Sequence, residues 1–105
     1  MRISPHAREA IVRTTAELAG ADARVRLFGS RLRDELRGGD IDLLVECPEP
    51  VERPVWLAAQ ITARLQRVLG ERRIDVLLID PSTVLDPVHR VAQTEGIELT
   101  AAKAS

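Results

Sequence analysis

Between Gly38-Gly39 and Cys47-Pro48 the residues alternate in a way that makes 40–46 the clearest strand in the chain: Ile41, Leu43 and Val45 fall on one face, Asp40, Asp42, Leu44 and Glu46 on the other. The apolar side needs a core to pack on. The other side carries two carboxylates at i and i+2, which project about 7 Å apart and whose oxygens can converge on one hard cation or straddle two.

The rest of the chain supplies what such a strand needs. Ser4-Pro5 is a helix start, and Ala7, Ala10, Ile11, Thr14 and Leu18 recur at helical spacing up to a stop at Gly20. Val25 to Phe28 reads as a short strand, broken by Gly29-Ser30 before a polar segment, 31–36, that can form one or two helical turns. After the loop at 47–50, Leu57, Ile61, Leu65, Val68 and Leu69 predict a long amphipathic helix ended by Gly70. Residues 73–79 form a further strand, with Ile74, Val76 and Leu78 on one face and Asp75, Leu77 and Ile79 on the other. Asp86-Pro87 opens a last helix running to Gly96, followed by a short edge strand at 97–99 and a frayed tail.

With 105 residues and no repeat, low-complexity stretch or linker, a single domain over 1–105 is expected, too small to add a separate recognition domain. A net charge of -1 argues against nonspecific binding to nucleic acid, which depends on clustered excess Lys and Arg. Phe28 and Trp56 are the only aromatic residues, so a bound nucleotide would be gripped by its phosphates rather than by stacking. The single cysteine, Cys47, excludes an intrachain disulfide and a Cys-rich zinc site. Met1-Arg2-Ile3-Ser4-Pro5-His6 contains no apolar h-region and no run approaches the roughly 18 residues of a membrane span, so neither secretion nor membrane insertion is expected and a cytoplasmic location is.

Asp75 shares the non-stripe face of its strand, so it can join Asp40 and Asp42 on one wall if the two strands are neighbours. Three close carboxylates repel one another unless a cation neutralises them, and Mg2+ is the natural ion. Two such ions roughly 3.5 to 4 Å apart can activate an attacking hydroxyl and stabilise a pyrophosphate leaving group. Gly29-Ser30, at a strand-to-helix junction, offers backbone N–H groups and a hydroxyl to phosphates. Arg31 and Arg33 follow within a turn, and either guanidinium could make a bidentate contact to a phosphate oxygen, with Arg33 the favoured one.

The stretch Phe28-Gly29-Ser30-Arg31-Leu32-Arg33, followed by Gly39-Asp40-Ile41-Asp42-Leu43-Leu44-Val45, resembles the minimal nucleotidyltransferases of the polymerase-beta superfamily. Leu32, Asp34 and Gly39 depart from the family's usual Ala, Gly and Ser. The resemblance implies an α/β (α+β) polymerase-beta-like fold, a small mixed sheet with helices packed on one face. It implies transfer of AMP from ATP with Mg2+, with Gly29 and Ser30 holding phosphate and Asp40, Asp42 and Asp75 binding metal as the catalytic acids. It further implies a partner, since proteins similar to this are often antitoxins that bind a HEPN-domain ribonuclease toxin and in some cases add AMP to it. A binding antitoxin that keeps the fold without turnover, and a small-molecule (aminoglycoside-type) nucleotidyltransferase, are the alternatives.

The remaining chemically suggestive residues have plainer expectations. Glu46 lies about 13 Å beyond Asp40 along the strand and is expected to be solvated rather than a ligand. His6 and His89 are expected on helix surfaces or partly packed, Cys47 as a structural thiol, and Trp56 packed in the core or an interface.

Overall fold

The computed structural model of the chain describes residues 3–28, 41–70 and 72–100. Their elements run α1 (Pro5–Ala19), β1 (Arg24–Phe28), β2 (Ile41–Glu46), α2 (Pro54–Leu69), β3 (Ile74–Ile79), α3 (Pro87–Glu95) and β4 (Ile97–Leu99). Local chemistry sets the ends. The Ser4 hydroxyl accepts the Ala7 N–H at 3.0 Å, with Pro5 opening α1. Gly20 and Gly70, at φ 108° and 91°, end α1 and α2 in backbone that other residues rarely adopt. The Asp86 carboxylate accepts the Val88 and His89 N–H groups while the His89 ring accepts the Asp86 N–H, so α3 begins in a reciprocal cap.

The strands form one mixed sheet in the order β3-β2-β1-β4. β1 is antiparallel to both β2 and β4, and β2 is parallel to β3. A parallel neighbour requires a crossover, which α2 provides. The predicted stripes meet on one side of this sheet: Val25 and Leu27, Ile41, Leu43 and Val45, and Ile74 form a buried cluster with Ile11 of α1 and Ile61 and Leu65 of α2. Cys47 closes that cluster as a buried thiol.

The architecture is the expected small α+β fold with a mixed sheet, but the helices are not all on one face as expected: α1 and α2 cover the apolar face. α3 lies against the opposite face, where Ala92 packs on Leu44 and Ile79, with Phe28, Leu77 and Leu85 around them. This explains why Leu44, on the polar side by alternation, is fully buried. The isolated apolar residues among acids at 44, 77 and 79 mark the footprint of α3.

Two expectations are refined by the structure. Trp56 is 58% exposed at the start of α2, beside Val55, so of the core or interface placement expected for it the core is excluded. It stands off the stripe of α2 on which its neighbour Leu57, with Ile61 and Leu65, packs against the core. Glu46 is not solvated: its side chain is largely buried, bonded to Arg26 Nε at 3.0 Å and to Gln93 Nε2 of α3 at 3.2 Å. The expected helical turns at 31–36 lie outside the described residues. Among the described residues no helix is long and apolar enough to cross a membrane.

Candidate active site

The sequence left one geometric condition open, whether the strand bearing Asp75 lies beside the strand bearing Asp42. It does, and in register: Asp42 and Asp75 are direct partners in the parallel β2–β3 pair. Adjacent strands run about 4.8 Å apart, and registered residues of a parallel pair project to the same face. Ile41 with Ile74 and Leu43 with Val76 pair in the same register on the core side, which sends both carboxylates to the other side. On the far flank of Asp42 its antiparallel partner is Phe28, the last residue of β1. A row Phe28–Asp42–Asp75 thus crosses three strands, one aromatic ring and two acids.

Asp42 is half-buried, while the Asp75 side chain is 54% exposed and open to a ligand from solvent. Position along the strands explains the difference from Glu46. The acids stand at the beginning of β2 and β3, ahead of Leu44 and Leu77, whereas Glu46 stands at the end of β2, where Gln93 of α3 reaches it.

Asp75 is ion-paired with Arg73, whose Nε lies 3.3 Å from Oδ2. The Arg73 carbonyl accepts the Ile41 N–H at 2.8 Å, which locks this residue to the first residue of β2. Reading the sequence for acids alone overlooked Arg73. Its spacing of two from Asp75 on an extended segment was the available signal.

Of the remaining candidates, Asp40, Gly29, Ser30 and Arg33 lie outside the described residues. No group of three or more metal-ligating side chains occurs among the described residues. The donor set that is described nevertheless suits a hard divalent cation: two carboxylates side by side, with Asp40 adjoining β2 in sequence. The groove between α1 and α2, about 260 Å³ and lined by His6, Glu9, Arg13, Glu17 and Arg64, is on the helical side of the sheet, away from the acids. There Arg64 and Glu17 join the helices at 2.9 Å.

Asp80, just past β3, is the most perturbed acid among the described residues. Its carboxyl falls to about 2 because it accepts the Val51 N–H, then the Ser82 hydroxyl and N–H and the Thr83 hydroxyl. These bonds fasten the loop after β2 to the turn after β3, at the opposite end of the strands from Asp42 and Asp75, so Asp80 is a structural clamp.

A search among curated proteins returns no match. The family described as nucleotidyltransferase domain matches residues 8–97, from early α1 to the start of β4. That span includes Phe28-Gly29-Ser30, the Asp40-Ile41-Asp42 strand and the registered Asp75. By this match and by its mixed four-stranded sheet, the chain belongs to the nucleotidyltransferase-domain family of the polymerase-beta superfamily.

Proposed function

We propose that this nucleotidyltransferase domain transfers AMP from ATP, with Mg2+, to a hydroxyl of a partner protein, and that the partner is a HEPN-domain ribonuclease toxin which the modification neutralises. The observation that carries the site is the register of Asp42 with Asp75 on adjacent parallel strands. Together with Asp40 these acids would hold the divalent cation. Gly29, Ser30 and Arg33 would hold the triphosphate. When bound, the metal supplies charge neutralisation at the nucleophile and at the departing pyrophosphate.

In the reaction the acceptor oxygen forms a bond to the α-phosphorus of ATP and the bond from that phosphorus to the α,β-bridging oxygen breaks. Pyrophosphate leaves, and the hydroxyl proton passes to a carboxylate of the acidic wall. The chain's own work is to align these groups and to offer carboxylates where positive charge is needed.

Incubation of the chain with the partner, Mg2+ and ATP labelled at the α-phosphate is expected to label the partner, whereas label at the γ-phosphate stays in solution. Asp42→Asn should lower the rate by roughly 10²-fold or more, the scale on which one positioned group acts. Transfer that persists in Asp42→Asn overturns the assignment.

A second reading, neutralisation by covering the partner without turnover, is favoured by exposed Trp56 and Val55, 58% and 84% accessible, which form an apolar anchor of the kind that dominates protein interfaces. Its mark would be unchanged protection of cells by Asp42→Asn together with loss of protection by Trp56→Ala.

A further inference from the structure

We propose that Arg73 is the resident counter-ion of Asp75, a guanidinium that a divalent cation must displace and that thereby sets the metal affinity of the site. The inference rests on the reading of Asp42 and Asp75 as metal ligands and adds a residue to it. Two carboxylates on adjacent strands repel one another when no cation lies between them. Arg73 stands two residues before Asp75, and its Nε approaches Oδ2 to 3.3 Å.

The backbone makes this placement a property of the sheet. The Arg73 carbonyl is bound to the Ile41 N–H at 2.8 Å, so the residue is registered against the start of β2, immediately before the Asp42–Asp75 pair. The side chain is 71% exposed and touches Asp75 through Nε. An exposed pair of this kind is weak and exchanges readily. It is therefore suited to hold Asp75 in the metal-free chain and to give way on loading. Arg73 acts through Asp75 and is a positioning residue.

The test is Mn2+ binding to the full chain without nucleotide, followed by the electron-paramagnetic-resonance signal of the free ion. Arg73→Gln is expected to tighten binding about two- to fivefold, the range an exposed ion pair commands. Arg73→Lys, which keeps the charge, should return affinity toward that of the original chain. Arg72→Gln changes net charge equally and serves as the control. Affinity unchanged by Arg73→Gln, or tightened as much by Arg72→Gln, overturns the proposal while leaving the metal site standing. Absence of saturable Mn2+ binding in the original chain overturns both.

Discussion

At the scale of single residues, Asp80 shows how a carboxylate can be strongly perturbed and still be structural. Its oxygens collect the Val51 N–H at 2.6 Å and the Ser82 hydroxyl at 2.7 Å, which favour the charged form and lower its pKa from 3.8 to about 2. The same charge, after burial as the larger cause, helps push the nearby Cys47 thiol up. Because the folded pKa of Asp80 lies below the unfolded one, its stabilising contribution is complete above about pH 4 and is lost as pH falls toward 2. Asp80→Asn should therefore melt earlier than the original chain at pH 7, and the gap should close through that window, as thermal unfolding followed by circular dichroism at stepped pH would show. A constant gap down to pH 2 would mean that the loss comes from packing rather than from the charge.

Elements are held by features that only contact between them makes visible. α3 is tied to the sheet by Ala92 against Leu44 and by Gln93 on Glu46, and it ends at Gly96, which sits hard against β1. A Cβ at position 96 would collide with the Ala92 carbonyl oxygen and lie 3.1 Å from the Arg26 Cβ. The backbone there has φ -71°, open to any residue, so the demand on glycine is for room. Gly96→Ala is expected to cost about 1–3 kcal/mol, the usual range for overpacking, measured by denaturant unfolding. The sequence marks Gly96 as a helix stop, which is correct but omits this steric role, because the clash with Ala92 depends on how the backbone leaves α3 and the contact with Arg26 comes from a residue distant in the chain.

Across the whole molecule, the arrangement that matters is the position of β2. It pairs antiparallel with β1 and parallel with β3, and the α2 crossover carries the chain back so that both strands begin at the same end of the sheet. That common start is what brings Asp42 and Asp75 together. Under the proposed function, cation binding relieves their repulsion in the folded state alone, so Mg2+ should raise the melting temperature. At ten times the dissociation constant the gain is about 1.4 kcal/mol. Differential scanning fluorimetry across a Mg2+ titration should show the rise in the original chain and lose it in an Asp42→Asn, Asp75→Asn double variant; an equal rise in both would argue for a nonspecific salt effect.

The alternation at 40–46 and 73–79 was enough to define two strands, their apolar stripes and the face on which Asp42 and Asp75 stand, because strand periodicity is a local property of the backbone. Helix ends at Ser4-Pro5, Gly20, Gly70 and Asp86-Pro87 were equally legible, since caps are made within a few residues. Which strand neighbours which, and in what register, is not local. It follows from α2 packing its Ile61 and Leu65 over the shared stripe, and only the folded chain places Asp75 opposite Asp42. The same holds for Glu46, turned from a solvated charge into a link between β1, β2 and α3, and for Trp56, left on the outer side of α2 while its neighbour Leu57 packs on the core. The sequence by itself determined the kinds of chemical groups and the face they occupy; the tertiary structure decided their neighbours, because packing over long chain separations selects the partners.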